Sequence, residues 1–321
     1  MASSLYRPSW TPGDTSGYRE QLLEQAPSIV DHEDAPVFKG LEKVAVTQYR
    51  VDWLNDTLTA PVLPTPPVFD ADPSYSFTDG RTRIYNQVQE FIVTFVVAEI
   101  SNIIAGKGSV AGVKDELAYG LEKKIKELVR QIERVLMSEQ AQQADNDTNP
   151  AQMEGFFSEV STYMTDTAAV TGNNFYSSIS ETDFQDKILA LFEAGTEGDL
   201  WCVAPPKFCV QVARNFKGRV DVVRETQTRD AAKVNMKVEM YQAPVGGLVT
   251  IQPNRSMGEG VALISKEFAK VGELRGITSK RTDTDQQHKR GFVNWYGTLL
   301  IKNEKAHGGW KSDNTPDAAA E

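Results

Sequence analysis

The stretch GVKDELAYGLEKKIKELVRQIERVLMSEQAQQ, residues 112–143, restricts the fold more than any other part of the chain. Val113, Leu117, Leu121, Ile125, Leu128, Ile132 and Leu136 recur at helical spacing. That places them on one stripe of an α-helix, with Lys, Glu and Arg filling the rest of its circumference. Glu122 and Lys126 form an i,i+4 pair in the favourable order. Some 30 residues at about 1.5 Å each predict a rod of roughly 45 Å. The polar run QADNDTNPAQ and its proline stop it.

Ahead of the helix, VAVTQYRVDW (44–53) and RIYNQVQEFIVTFVVAEI (83–100) are rich in β-branched and aromatic residues and read as two strands. In the first, Val44, Val46, Gln48, Arg50 and Asp52 share one face, and Tyr49, Val51 and Trp53 share the other. Between the two runs, Pro61, Pro64, Pro66, Pro67 and Pro73 exclude a regular helix or a central strand. The pattern predicts two long antiparallel strands with an extended, proline-stiffened tip. Loops of that length are usually functional or bound by a partner. Residues 1–44 mix Pro, Gly, Ser and charge around one short amphipathic candidate, YREQLLEQAPSIV. They read as an arm whose Tyr6, Trp10 and Tyr18 need a surface to lie on.

Beyond the long helix the chain alternates helices and strands. SETDFQDKILALFEAG predicts a helix capped by Ser180 or Thr182, with Phe184, Ile188, Leu191 and Phe192 on its stripe and Gly195 at its end. Leu200–Ala204 reads as a buried strand, followed by a helix entered at Pro205-Pro206. KVNMKVEMYQAP, GGLVTIQPNRSM, GVALISKEFAKVGEL and GFVNWYGTLLIKNEK read as further strands. At 321 residues, 40% hydrophobic and 24% charged, the composition is that of a soluble globular chain with roughly two domains.

The net charge of −10 argues against a surface that grips nucleic acid through its phosphates. FIVTFVVAEISNIIAG is broken by Glu99 and too short to span a bilayer, so no membrane role is expected. The first twenty residues lack the pattern of a signal peptide, and two cysteines imply no disulfide framework.

Motifs of reactive chemistry are scarce in the sequence. The three histidines, His32, His288 and His307, have no second His or Cys at ligand spacing, so no metal and no cofactor is expected. Cys202 and Cys209 read as small apolar residues. No Gly-x-Ser-x-Gly, Walker or dinucleotide motif occurs, and GKGSVAG (106–112) lacks the required ending. Three sequons, at Asn55, Asn146 and Asn254, read as coincidence. The run SKRTDTDQQHKRG mixes signs and reads as a solvated loop. One cluster invites an acid–base or metal reading: Glu304, Lys305 and His307 beside Gly308-Gly309, after the alternating strand FVNWYGTLLI. The alternative is a structural terminus, in which the glycine pair frees the chain to turn.

Several segments resemble the major capsid proteins of tailed bacteriophages, whose shell fold is shared with encapsulins and the floor of herpesvirus capsids. They are YRVDWLNDTLTAP, RIYNQVQEFIVTF, DELAYGLEKKIKELVRQIERVLM, IQPNRSM and, most specifically, LLIKNEKAHGGW. The resemblance spans roughly residues 17–310.

It implies an α+β fold with an N-terminal arm (1–44), an extended β-hairpin loop (45–98) and a peripheral domain (99–180) with a spine helix at about 112–143. An axial α/β domain (181–290), a strand returning to the peripheral domain (291–310) and a flexible tail (311–321) complete it. It further implies a non-enzymatic homo-oligomer of pentamers and hexamers, closing an icosahedral head around double-stranded DNA without sequence-specific binding. Scaffold, portal and decoration proteins are the further partners implied. The Asn-Glu-Lys-Ala-His-Gly run then falls to the structural reading. Trp10, Tyr18, Trp53, Pro64, Pro67, Phe69 and Tyr75 are the expected inter-subunit contacts.

Some relatives weld loop to neighbour through a loop lysine. None lies between Lys43 and Lys107, so a non-covalent shell is expected. A compartment shell around protein cargo is the main rival, and an enzyme the second.

Overall fold

The computed structural model describes residues 34–56, 63, 81–98, 116–146, 148–167, 173–196, 198–215, 240–245, 247–282 and 288–312. The described chain divides into two compact units. The smaller takes Thr94–Ile125 and Ser279–Val293, and Met1–His32, assigned to it, lies outside the described residues. The larger takes Glu33–Val93, Lys126–Thr278 and Asn294–Glu321.

Three sheets organise the strands. β1 (Glu42–Ala45), β10 (Ala269–Thr282), β11 (His288–Ile301) and β4 (Gln89–Ala98) form one sheet in the order β1-β10-β11-β4. β5 (Met164–Thr167), β12 (Gly308–Ser312), β9 (Gly260–Ile264), β6 (Leu200–Ala204), β8 (Leu248–Pro253) and β7 (Met240–Gln242) form a second, in that order. β2 (Arg50–Asn55) and β3 (Thr82–Gln87) pair as an antiparallel ribbon, with Trp53 opposite Ile84.

Each predicted loop strand is divided in two. The chain pairs with β10 in parallel through Ala45, then leaves that sheet to enter the ribbon at Arg50. On the return, Asn86 causes the break. Its fully buried side chain donates to the carbonyls of Leu299 (2.8 Å) and Glu154 (3.3 Å) and accepts from the Glu154 amide (2.8 Å). Those bonds pin the junction between β3 and β4, while the Val88 amide donates to the Tyr49 carbonyl at 2.7 Å.

The long helix is α2 (Glu116–Leu136). Its stripe is where the spacing predicts: Leu117, Leu128, Ile132 and Leu136 are buried. It ends earlier than the expected residue 143. Ser138 turns the chain by donating its hydroxyl to the Val135 carbonyl, and its own carbonyl accepts from the Phe157 amide. Gln140 and Gln143 then bond to the segment before α3 (Phe156–Glu159), as the Gly155 and Gln152 amides reach their carbonyls. Those tertiary bonds replace the helical ladder.

Around the six-stranded sheet, α4 (Asn173–Ser178), α5 (Glu181–Glu193) and α6 (Pro206–Asn215) supply Phe175, Phe184, Ile188, Leu191, Phe208 and Val212 to one core with Cys202, Val249, Leu263 and Trp310. Ser180 caps α5 through a reciprocal capping box with Asp183. Phe192, expected on the buried stripe, is exposed; the stripe narrows to Phe184, Ile188 and Leu191.

The C-terminal stretch departs furthest from expectation. β11 ends at Ile301, a 3-10 turn (Glu304–Ala306) follows, and β12 enters the other sheet between β5 (parallel) and β9 (antiparallel). Lys311 and Ser312 are therefore strand residues and not tail. Gly308 and Gly309 do not release a turn; they let backbones approach. A Cβ at Gly309 would lie 2.1 Å from the Val261 carbonyl oxygen, and one at Gly308 2.9 Å from that of Tyr163.

Candidate assembly interface

The ribbon has two unlike faces. Arg50, Asp52 and Leu54 stand opposite Gln87, Tyr85 and Arg83. There the Arg50 guanidinium lies 3.6 Å from the Tyr85 ring centre and its Nε 2.7 Å from Asp52, with Arg83 at 3.7 Å from the same carboxylate. Such exposed ion pairs contribute little each.

The other face carries Val51, Trp53 and Ile84, all half-buried. The indole N–H of Trp53 is shielded from solvent and has no acceptor among the described residues. A two-stranded ribbon is marginal by itself in water, because it cannot cover both faces. Tyr49 at 73% exposure and Leu54 at 56% leave further apolar surface uncovered. Of the expected contact residues, only Trp53 falls within the described chain. Trp10, Tyr18, Pro64, Pro67, Phe69 and Tyr75 lie outside the described residues, as does the helix expected at YREQLLEQAPSIV.

The Glu304–His307 cluster separates into independent structural roles. The Glu304 carboxylate accepts from the Ser161 amide (2.7 Å) and hydroxyl (2.8 Å) and from the Thr162 amide (2.6 Å). Burial pushes its pKa up, but the bonds from Thr162 and Ser161 outweigh that and hold it below the usual carboxylate value. His307 is wholly buried, its Nδ1 accepting from the Ser265 amide at 3.2 Å and its ring edge-on to Phe156 at 5.9 Å. Burial lowers its pKa to about 4, partly opposed by the Phe268 backbone. A solvent-free imidazole holding a backbone amide is not placed to exchange protons with a substrate.

Nearby Glu159 is shifted the other way. Burial, then the charges of Glu154 and Glu304, raise its pKa well above the carboxylate range. Among the described residues no group of three or more His, Cys, Asp or Glu side chains could hold a metal. Burial also raises the Cys202 thiol, leaving it without thiolate character.

The His307 shift has a measurable consequence. Its folded pKa lies below the unfolded value of 6.5, so the unfolded chain binds more protons between those values. Stability from neutral His307 is therefore present at pH 7 and is lost as pH falls from about 6.5 to about 4, by roughly 3 kcal/mol. In urea unfolding across that window, the stability difference between wild type and His307→Gln should shrink toward acid. A difference that stays constant with pH would contradict the burial of a neutral ring.

A further buried polar junction forms at Glu133. Glu133 is fully buried on α2, and its carboxylate accepts from the Val37 (2.9 Å) and Phe38 (2.8 Å) amides and from the Asn254 side chain (2.6 Å). The only legible signal was that Glu133 lies next to the stripe residue Ile132. Asn254, read as a coincidental sequon, is this buried partner.

The family model described as SU10 major capsid protein matches residues 13–312. Among solved structures, the capsid of a native GTA particle is 12% identical with a TM-score of 0.59, over 90% of this chain and 93% of that one. The Mycobacterium phage Adephagia structure is 14% identical with a TM-score of 0.55, over 94% and 95%. The SrpI encapsulin of Synechococcus elongatus PCC 7942 is 12% identical with a TM-score of 0.53, over 93% and 95%. At these identities the structural likenesses establish a common fold. No curated protein matches the chain.

Proposed function

The chain belongs to the SU10 major capsid protein family and is a structural shell protein of the virion, not an enzyme; from that premise we propose that its copies close as pentamers and hexamers into an icosahedral phage head around double-stranded DNA. The observation that supports this reading is the β2–β3 ribbon, whose face of Val51, Trp53 and Ile84 we read as the one a neighbouring copy packs against. In this reading residues 1–44 serve as arm and 45–98 as extended loop. The spine helix and β11 belong to a peripheral domain, and most of 181–290 to the axial domain that meets its copies at capsomer centres. Assembly takes place in the host cytoplasm, with scaffold, portal and decoration proteins as further partners. Repetition around a closed shell lets each contact be modest. The net charge of −10 supports a wall that does not trap its DNA.

Electron microscopy of the purified wild type tests this directly. Closed shells are expected, DNA-filled when isolated from lysates; shells packed with protein would favour the compartment reading, and monomers would refute both. Trp53→Ala should leave the unassembled chain within about 1 kcal/mol of wild type while sharply reducing shell yield. Normal shells from that variant would remove the ribbon face from the interface. With no lysine between Lys43 and Lys107, mature particles should run as a single chain on a denaturing gel. A covalent ladder would overturn the non-covalent shell.

A further inference from the structure

The six-stranded sheet turns one face to α4, α5 and α6, which share a core with Cys202, Val249 and Leu263. Side chains alternate along a strand, so the next residue in each stands on the opposite face. There the register sets Trp201 of β6, Thr250 of β8 and Met240 of β7 in one row. The helix after the arm, α1 (Pro36–Gly40), packs on the Trp201 end: a Cβ at Gly40 would come 2.7 Å from the indole ring. Toward β7, the last strand of the sheet, the row opens, with Thr250 half-buried and Met240 62% exposed. Together these residues bound a cleft of about 600 Å³, with α1 on one side and the turn after β9 also lining it.

Three charged side chains line the cleft: Asp34, Lys39 and Lys266. Asp34 faces Arg255 at 3.8 Å, so its charge is already opposed. Lys39 and Lys266 are exposed, and neither makes an ion pair among the described residues. The Lys266 Nζ lies 4.3 Å from the centre of the Trp201 ring, which steadies the ammonium and leaves its N–H donors free. The Trp201 N–H is taken by the Gln252 side chain at 3.1 Å. The cleft therefore presents two unanswered ammoniums beside a floor that is part aromatic and part apolar.

We propose that an acidic, extended segment of a second copy of this chain lies in the cleft, its carboxylates on Lys39 and Lys266 and its backbone along the open row. Like charges gathered at a cleft attract the opposite sign, here carboxylate or phosphate. The chain supplies carboxylates itself, with 44 Asp and Glu against 34 Lys and Arg. The exposed Met240 side chain decides between the two anions, because a peptide covers apolar surface and a phosphodiester backbone does not. The inference rests on the shell reading, in which copies adjoin.

Carbodiimide coupling, which turns a lysine–carboxylate contact into an amide, tests this on full chains mixed from isotope-labelled and unlabelled protein. Mass spectrometry of the assembled material should show Lys39 and Lys266 joined to Asp or Glu of the other isotope. Links confined to one isotope would assign the cleft to a segment of the same chain and overturn the proposal. The double variant Lys39→Gln/Lys266→Gln should lower shell yield on the order of tenfold at low salt, and the gap should close at about 1 M salt, where screening shortens to about 3 Å. Its unassembled chain should keep a urea midpoint close to that of the wild type, since both lysines are exposed. Equal yields at low salt would end the proposal. So would a lower yield without links between chains, which would make DNA the anion. If the wild type forms no shells, the shell reading falls by itself; links between chains in the unassembled protein would still uphold the cleft, and their absence would end it.

Discussion

Replacing Trp310 by alanine is expected to destabilise the unassembled chain by about 3–5 kcal/mol, the range for deleting a large buried aromatic. The indole is 4% exposed and stacks on Phe184 at 5.9 Å with an interplanar angle of 12°. It belongs to the core that α4, α5 and α6 build on the six-stranded sheet. β12, which carries it, also fills the gap between β5 and β9, so a loosened Trp310 weakens two strand pairings together. Equilibrium urea unfolding measures the loss, and Trp310→Phe should recover most of it by refilling the stack. A loss below about 1 kcal/mol would mean that the strand is not docked in this core.

Trp295→Ala should cost a similar amount, about 3–5 kcal/mol, for a different set of contacts. Trp295 is fully buried on β11, 5.5 Å from both Phe38 and Phe91, and its indole N–H donates to Glu273 at 3.1 Å. The ring lies over Gly297, where a Cβ would come within 2.2 Å of it. Gly297→Val should therefore also destabilise the chain, by displacing the indole and not by vacating its site. Because Phe38 sits in the short helix Pro36–Gly40, the tryptophan deletion should speed exchange at the Leu41 amide, which donates to the Val37 carbonyl. If Trp295→Ala left the Leu41 amide protected, Trp295 would not be what docks that helix.

His307 and Glu133 pull the acid stability of the chain in opposite directions. Neutral His307 loses its contribution as pH falls toward about 4, while protonated Glu133 regains stability over the overlapping window from about 7 down to 4.5. Wild-type stability should consequently vary less between pH 4.5 and 6.5 than either single variant. Neither role could be read from residue type. Glu133 has the identity of a solvated helix residue and His307 that of a possible ligand, and only their surroundings assign them.

Where a reading rested on periodicity, it transferred to the structure at most positions, Phe192 excepted. Leu128, Ile132 and Leu136 are buried as their spacing requires, Ser180 caps α5, and Leu200–Ala204 is a fully buried strand. Where a reading rested on continuity, it failed. The apparent strands 44–53 and 83–100 each divide between two sheets, because alternation is the same whichever partner a strand pairs with. The ribbon could be foreseen as a hairpin, but the half-burial of its apolar face could not, since exposure depends on the rest of the fold.

Local pattern was enough, by itself, to place the helices Glu116–Leu136, Glu181–Glu193 and Pro206–Asn215 and most of the strand-rich segments. These follow from the 3.6 and 2.0 residue periods and from backbone sterics, which act between near neighbours. The tertiary structure alone decided that the final Gly-Gly-Trp segment is a strand in the interior of a sheet, that Asn86 pins the base of the loop, and that Glu133 caps a helix from across the chain. Each of those depends on donors and acceptors brought together from distant positions, and their free energy comes from burial and hydrogen bonds that no local pattern encodes.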